Sequence, residues 1–301
     1  MKLRFLNQEM EVGGKYLTTD LRESNDALDD AATLQQRMAD DGYLLIRGLH
    51  EREQVLAARR GILEDLQHRG FLKPGAELMD GVVDPGSDAA AINSAMSHRH
   101  LTRLPALLYL VEGRLVMEFF ARFLGGEVRT FDFKWLRTKC PGPGSSLHYD
   151  TVYMNRGTAN LYTCWSPLGD LTLDMGTLAI CLGSNRFEKI KQTYGQSDVD
   201  RDLIQGNFSN DPVEMVEKFG GIWATTEFRA GDAVIFGMHT MHGSTDNQSD
   251  RIRLSSDTRY QLASEPVDER WIGVEPKGHY RHRDPSNRIE PLDESRARWG
   301  V

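Results

Sequence analysis

The sequence SSLHYDT, residues 145–151, places a histidine and a carboxylate two positions apart. On a β-strand, residues i and i+2 point to the same face, so His148 and Asp150 can approach one ion from a single strand while Tyr149 faces away. The later sequence MHGS, residues 241–244, supplies a second histidine, His242, from a distant strand. The two segments therefore predict a three-ligand metal site that joins two strands of a β-rich fold.

These ligand types also select a metal. Two neutral imidazoles and one carboxylate on one side of an octahedral ion leave three positions open, as in non-haem Fe(II) oxygenases that activate O2. A chance His-x-Asp match is common in a chain with nine histidines. The neighbouring sequence strengthens the prediction, because a Gly231-Asp232 turn and the apolar strand 233–236 precede His242, and Arg253 follows it by 11 residues.

This order of features resembles the Fe(II)/2-oxoglutarate dioxygenases, and within them the phytanoyl-CoA dioxygenase family. Residues 174–178, DMGTL, resemble the family's Asn-Gly-x-Leu turn, and residues 182–185, LGSN, resemble its Pro-Gly-Ser-His. His242-Gly243-Ser244 with Asn247 and Arg253 is similar to its distal string of histidine, glycine, serine, asparagine and arginine. The resemblance covers roughly residues 40–262 and departs at Asn185, where the family usually has histidine.

The resemblance implies a mainly β fold with helical support, a double-stranded β-helix (jelly roll, cupin-like barrel) flanked by N-terminal helices. It implies that His148, Asp150 and His242 bind Fe(II), with 2-oxoglutarate as cosubstrate and O2 as oxidant. The expected reaction is hydroxylation of an unactivated C–H bond of a small-molecule metabolite, with release of succinate and CO2. Desaturation, ring closure and epoxidation stay open. Asp150 argues against halogenation, because related halogenases replace the carboxylate with a small residue.

A cosubstrate of this kind needs a cation for its distal carboxylate. Arginine offers a planar two-donor fork that fits a carboxylate. Arg251 and Arg253 share one strand face by parity, and the 11-residue interval from His242, as in the family, favours Arg253. Ser244, on the same face as His242, is a second candidate donor. We interpret Arg259 as structural or solvent-facing.

Three further residues are candidates for the cosubstrate site. Thr163 and Trp165 share one strand face and fall where the family places cosubstrate contacts, Thr163 as a hydroxyl donor and Trp165 as an apolar wall; ordinary core packing is the alternative for Trp165. Arg137 has two interpretations, contact with the C1 carboxylate of 2-oxoglutarate or an acidic substrate, or an ion pair with a protein carboxylate.

Unranked candidates for substrate contact are Tyr149, Tyr153 and Asn155.

The remaining histidines are weaker candidates for metal ligands. His239 lies three residues before His242, but the interval of 10 residues from Asp232 to His242 is the one that resembles the family. We therefore expect a structural or supporting role for His239. A further set lacks carboxylates at ligand spacing and is expected to face solvent: His98, His100, His279 and His282.

Hydrophobic periodicity places helices first and strands later. Asn25-Asp26 is expected to cap a helix over 27–41 that ends at Gly42, followed by a strand at 43–46, a helix from Glu51 and a helix over 111–123. Strands are predicted at 128–138, 148–154, 160–166, 177–182, 222–227, 233–237, 240–244 and 252–261. The sequence PGPG at 141–144 separates the first of these strands from the metal strand.

One domain over 1–301 is the simplest organisation, with helical support at about 26–126 and a jelly-roll core at about 128–262. The polar segment 187–221 interrupts the strands and is a candidate lid or subunit contact. The tail 263–301 contains Trp271, Tyr280 and Trp299, which predict that it packs against the core.

Composition limits the classes of function. The 301 residues carry a net charge of −8, which argues against a nucleic-acid or membrane-surface role, because phosphate binding needs a basic field. A signal peptide and a membrane span are not expected, so we expect a cytoplasmic protein with a small-molecule substrate; a homo-oligomer stays open. Cys140, Cys164 and Cys181 are expected to be reduced.

The main alternative is a non-redox jelly-roll metal protein, such as a cupin-like isomerase or a sensor that binds 2-oxoglutarate without turnover. Arg253 and Ser244 discriminate, since a plain metal barrel has no reason to carry a carboxylate clamp. A structural protein with a degenerate site is disfavoured because all three metal ligands are present.

Overall fold

The computed structural model describes residues 1–301, which run from a short hairpin through a helical region into a strand-rich half. The strands are β1 Lys2–Phe5, β2 Gln8–Glu11, β3 Leu17–Thr18, β4 Tyr43–Ile46, β5 Val128–Thr130, β6 Trp135–Lys139, β7 Ser145–His148, β8 Tyr162–Pro167, β9 Leu178–Leu182, β10 Ile222–Ala224, β11 Ala233–Gly237, β12 His242–Ser244 and β13 Arg253–Leu262. The α-helices are α1 Ala31–Asp41, α2 Arg52–His68, α3 Ala89–Ala95, α4 Arg99–Thr102, α5 Pro105–Glu112, α6 Arg114–Leu124, α7 Thr151–Met154, α8 Glu188–Gln192, α9 Pro212–Phe219 and α10 Leu292–Trp299.

Two sheets form the centre of the molecule. One has five strands in the order β3-β10-β9-β12-β7, and the other has the order β4-β11-β8-β13-β5, with β6 also paired to β13. Every pairing within these two sheets is antiparallel except that of β3 with β10. In the five-stranded sheet, His242 of β12 lies directly opposite His148 of β7. Strand pairing therefore brings together two residues that are 94 positions apart in the sequence.

The inner faces of the two sheets share one apolar cluster. Ile180 and Ala224 enter it from the five-stranded sheet, while Trp165 and Phe236 enter it from the six-stranded sheet. Side chains alternate across a strand, so Thr163 and Trp165 point inward while Cys164 packs on the outer face. The two sheets thus face each other, as the period-two pattern of the sequence predicts.

Helices α1 and α6 cover the outer face of the six-stranded sheet. Phe120 of α6 is fully buried and stacks on Tyr260 of β13 with ring centroids 4.0 Å apart. Burying a side chain of this size stabilises the fold by about 1.5–3 kcal/mol. Helix α1 ends at Gly42, as predicted, in the left-handed conformation (φ 80°). A Cβ at Gly42 would lie 2.9 Å from Thr240 Oγ1, so this glycine permits close approach as well as the turn.

The segment 187–221 and helix α10 cover the outer face of the five-stranded sheet. Within the segment, Tyr194, Phe208 and Met215 are fully buried in the same cluster as Trp223 of β10 and Trp299 of α10. This packing favours a fixed cover over a moving lid. Hydrogen exchange can test a gating role of the segment against this fixed cover.

The predicted strand 148–154 is wrong. Strand β7 ends at His148, and Asp150 occupies the position before the short helix α7, with helical backbone angles. The turn is fixed by a hydrogen bond from the backbone N–H of Thr151 to the carbonyl of Met238, a contact between distant parts of the chain. Asp150 therefore reaches the metal site from a turn and not by strand parity.

Other predicted boundaries also shift. Asp30, and not Asn25-Asp26, caps α1, since its side chain accepts from the backbone N–H of Thr33. Gly113 adopts an extended conformation that divides the predicted helix 111–123 into α5 and α6. The predicted strand 128–138 is divided into β5 and β6. The prediction missed the N-terminal strands β1 to β3 and the helices α3, α4, α8, α9 and α10.

The C-terminal tail packs against the core, as predicted. Trp271 and Trp299 are buried, whereas Tyr280 is exposed. All three cysteines are free and buried. None of the helices combines the length and the apolar character that a membrane crossing requires.

Candidate metal centre

Three side chains converge between the sheets with their ligand atoms all within 4.8 Å of one another: His148, Asp150 and His242. Asp150 Oδ1 lies 3.6 Å from His148 Nε2 and 3.8 Å from His242 Nε2. Ligand atoms at about 2.1 Å from one ion, in perpendicular positions, are about 3 Å apart. Shifts of up to about 1 Å in each side chain would therefore let the three share one ion.

Backbone carbonyls orient both histidines. His148 Nδ1 lies 3.0 Å from the carbonyl of Ser146, and His242 Nδ1 lies 3.0 Å from the carbonyl of Thr240. A carbonyl can only accept a hydrogen bond, so each Nδ1 carries the proton and each Nε2 presents a lone pair. Orientation of this kind is what metal-binding histidines require.

The electrostatics of the site favour a carboxylate and a neutral imidazole. Burial opposes the charge of Asp150, but the Arg259 guanidinium and the two histidines lower the pKa of this carboxyl well below its usual range. Burial, together with the proximity of His148, lowers the pKa of His242 to about 4. At neutral pH, Asp150 is therefore ionised and His242 is uncharged, which are the protonation states that bind a divalent cation.

The three ligands line a cavity of about 350 Å³ that also contains Arg253. Arg253 is only 4% exposed, and burial lowers its pKa to about 10. Its Nε donates to the Gly176 carbonyl at 3.1 Å and its Nη1 to Ser255 Oγ at 2.7 Å, whereas Nη2 has no partner. No carboxylate pairs with this guanidinium. A buried cation is costly unless an anion accompanies it.

Ser244, Trp165 and Lys139 line the same cavity. Ser244 Oγ is 3.0 Å from Ser145 Oγ, and the indole of Trp165 lies 6.0 Å from the Arg253 guanidinium carbon. Lys139 pairs with Arg253 in the register of β6 and β13, and burial together with that charge lowers its pKa to about 8. The sequence did not lead us to Lys139, although Lys139 lies two positions after Arg137 and therefore on the same face of the strand.

Two predicted cosubstrate contacts have other partners. Thr163 is buried and donates its hydroxyl to Asp150 Oδ2 at 2.5 Å, and it does not line the cavity. Its assignment to the cosubstrate is therefore replaced by a contact to a metal ligand. Arg137 lines the cavity but forms an ion pair with Asp257 at 2.8 Å, which is the second of its two interpretations.

Of the two interpretations of Arg259, structural or solvent-facing, the structure supports the structural one. Arg259 is 2% exposed, lines the cavity and donates from Nη2 to Asp150 Oδ2 at 3.0 Å. Arg253, Asp257 and Arg259 have the same parity on β13 and all face the cavity. The alternation that we applied to Arg251 and Arg253 could have identified Arg259 as an inward residue.

His279 was expected to face solvent, but it lines the cavity. Its Nδ1 is 2.8 Å from Asp200 Oδ2, and its ring packs against the Tyr153 ring. The Tyr153 ring packs edge to face against the His148 ring, with centroids 5.4 Å apart. Of the other histidines in that set, His98, His100 and His282 are exposed as predicted.

Of the unranked substrate candidates, only Tyr153 lines the cavity. Tyr149 points away from it and donates its hydroxyl to the Ser184 carbonyl, and Asn155 donates to the Ser197 carbonyl. His239 contacts the Tyr149 ring outside the metal site, consistent with the expected structural role.

Comparisons with known proteins agree with this geometry. The family profile for phytanoyl-CoA dioxygenase (PhyH) matches residues 38–255. The 1-deoxypentalenic acid 11-beta-hydroxylase of Streptomyces exfoliatus is 25% identical over 263 residues, covering 82% of this chain and 86% of the relative. Similar solved structures include the non-heme alpha ketoglutarate dependent carbocyclase SnoK from nogalamycin biosynthesis (TM-score 0.53, 19% identity, 82% of this chain and 89% of that chain). Another is EctD from S. alaskensis (TM-score 0.50, 18% identity, 91% of each chain). The chain therefore belongs to the phytanoyl-CoA dioxygenase family and is a 2-oxoglutarate-dependent non-haem iron dioxygenase.

Proposed function

We propose that the protein hydroxylates an unactivated C–H bond of a small-molecule metabolite. One oxygen atom of O2 enters that bond, and the other enters succinate as 2-oxoglutarate loses CO2. The observation that carries this proposal is Arg253, a buried cation without a protein counter-ion, in the same cavity as the His-Asp-His cluster. A non-redox metal barrel would have no use for that anion site. A sensor would use it but would release no succinate.

The two facing sheets support the more specific fold assignment, a double-stranded β-helix or jelly roll. In this arrangement, 1–301 is one domain in which the N-terminal helices buttress one sheet. The segment 187–221 and the tail buttress the other sheet. The metal ligands then lie inside the barrel, on the inner face of the five-stranded sheet and the turn that follows β7.

His148, Asp150 and His242 would hold Fe(II), which supplies the redox chemistry that activates O2. Arg253 would bind the C5 carboxylate of 2-oxoglutarate through Nη2, its one nitrogen without a protein partner. Ser244 would offer a hydroxyl to the same carboxylate. The Trp165 indole would form the apolar wall beside the cosubstrate, excluding water from this charge pair and so strengthening it.

The substrate would enter past Tyr153 and His279, cavity residues that are linked to His148 by ring contacts. A cavity of about 350 Å³ lies near the lower end of the range for small-molecule pockets, and the cosubstrate fills part of it. A small substrate is therefore favoured. The relatives, which are named 1-deoxypentalenic acid 11-beta-hydroxylases, support a small-molecule substrate.

A succinate-release screen of small metabolites tests this function. Purified protein is supplied with Fe(II), 2-oxoglutarate and O2, and compounds that raise succinate release above the basal rate are analysed for products by mass spectrometry. Hydroxylation predicts one added oxygen atom, derived from ¹⁸O2, for each succinate formed. Desaturation or ring closure predicts the loss of two hydrogens. Binding of 2-oxoglutarate without any succinate release, with or without candidate substrates, would support the sensor alternative.

A further inference from the structure

The two oxygens of Asp150 have different surroundings. Oδ1 faces the two imidazoles, at 3.6 Å from His148 Nε2 and 3.8 Å from His242 Nε2. Oδ2 accepts two hydrogen bonds, from Thr163 Oγ1 at 2.5 Å and from Arg259 Nη2 at 3.0 Å. One oxygen is thus directed to the metal position, and the other is already bound to protein donors.

Both donors are rigidly placed. Arg259 and Thr163 are opposite each other in the register of β13 and β8, so the sheet sets their separation. The Arg259 guanidinium lies over the Trp135 ring, 4.4 Å from its centroid, and Nη1 donates to the Asp257 carbonyl at 3.1 Å. Because other contacts hold this guanidinium in place, its hydrogen bond can restrain the position of the carboxylate oxygen.

The number of carboxylate oxygens on the ion decides how many positions stay open. A carboxylate can bind a cation through one oxygen or through both. With two histidines and one oxygen, three positions of an octahedral ion are free; with both oxygens, two are free. If the proposed function holds, 2-oxoglutarate takes two positions through its C1 carboxylate and keto oxygen. A third position must then stay available for O2.

We propose that Arg259 and Thr163 are positioning residues that hold Oδ2 of Asp150, so that this carboxylate binds the metal through Oδ1 alone and one position stays open for O2. The inference rests on the proposed function for the identity of the occupants. Its physical basis lies in the two hydrogen bonds to Oδ2 and the orientation of Oδ1 towards both imidazoles.

Two variants separate the donors. Thr163→Val removes the hydroxyl at nearly constant volume and keeps the charge of Arg259. Arg259→Met removes the charge and both donors to Asp150 and the Asp257 carbonyl. Arg251→Ala is the matched control, because Arg251 lies on the surface, paired with Asp80 at 3.4 Å.

The experiment uses Fe(II), 2-oxoglutarate and nitric oxide, which binds ferrous iron in place of O2, and it needs no substrate. We first measure Fe(II) affinity anaerobically, then record the electron paramagnetic resonance signal of nitric oxide bound to the Fe(II) and 2-oxoglutarate complex. Loss of a contact to a ligating side chain typically weakens metal binding by about tenfold to a hundredfold. We expect a loss in that range for Arg259→Met and a smaller one for Thr163→Val. Both variants should also bind less nitric oxide once 2-oxoglutarate is present, with Arg251→Ala unchanged.

The inference would be overturned if both variants bound Fe(II) and nitric oxide as well as the wild type does. It would also be overturned if the variants lost thermal stability while Fe(II) affinity and nitric oxide binding were unchanged. Thr163→Val keeps the test decisive if Arg259→Met does not fold. A wild-type protein that binds no Fe(II) or no 2-oxoglutarate would instead refute the proposed function, so the two failures are distinguishable.

Discussion

Replacing Arg253 with alanine should weaken the binding of 2-oxoglutarate and leave metal binding nearly intact. Arg253 is buried, two of its nitrogens are fixed by Gly176 and Ser255, and its third faces the cavity without a partner. A hydrogen bond to a charged group contributes about 1.5–3 kcal/mol, which corresponds to a change in Kd of about tenfold to a hundredfold. Burial favours the upper part of this range, because charge interactions are stronger where water is excluded.

The assay is calorimetric titration of 2-oxoglutarate into protein loaded with Mn(II) under anaerobic conditions, together with the apparent KM for 2-oxoglutarate in succinate release. Arg253→Lys should restore binding only in part, since a single ammonium cannot keep the contacts to Gly176 and Ser255 and also reach the carboxylate as the planar guanidinium does. Arg251→Ala provides the control, because the Arg251 side chain is 48% exposed and pairs with Asp80 on the surface. A large loss in Arg251→Ala with little change in Arg253→Ala would show that the arginine is wrongly assigned. No change in either would refute 2-oxoglutarate as the cosubstrate.

Three further predictions concern the fold. His50 is buried with its Nε2 2.8 Å from Ser166 Oγ, and burial lowers its pKa to about 4. Between pH 7 and pH 5, the free energy of unfolding should therefore fall by about 2 kcal/mol more in the wild type than in His50→Gln, because His50 takes up a proton near pH 6.5 only in the unfolded state. Equal losses of the wild type and the variant in urea titrations would contradict this. Backbone amides of 187–221 with buried side chains should be protected from hydrogen exchange before 2-oxoglutarate is added, and protection that arises only on its addition would instead support a lid. Phe120→Ala should lower the free energy of unfolding by about 3–5 kcal/mol, and a loss below about 1 kcal/mol would show that the stacking on Tyr260 is not part of a well-packed core.

Strand alternation explains why much of the site could be predicted from the sequence. That Thr163 and Trp165 share one face follows from period two, whereas the choice of Arg253 over Arg251 follows from the interval after His242 in the family that the sequence resembles. The structure places Trp165 and Arg253 in one cavity with both histidines. Asp150 shows the limit of this reasoning. Its strand ends early, and the turn that follows contains a hydrogen bond from Thr151 to the Met238 carbonyl, a contact that depends on tertiary structure and leaves no signal within 145–151.

The missed residues have physical reasons of two kinds. The face of the strand on which Arg259 lies was predictable, because residues 253 and 259 are an even number of positions apart. Its partner Asp150 was not predictable, because it is 109 positions away and no local pattern links the two. His279 was not predictable even in direction, because it belongs to no strand or helix. Asp200 fixes its orientation through a hydrogen bond to Nδ1. Local periodicity can identify a face of an element, whereas these contacts depend on how distant segments pack.

Anaerobic titration with Fe(II), followed by succinate release on addition of 2-oxoglutarate and O2, tests the central claim most directly. Wild-type protein should bind one Fe(II) per chain and release succinate only when both 2-oxoglutarate and O2 are present. His148→Ala and His242→Ala should each lose tight iron binding and turnover, because each removes one of the three ligands. Iron loading and succinate release at the wild-type level in both variants would contradict the assignment of the metal centre.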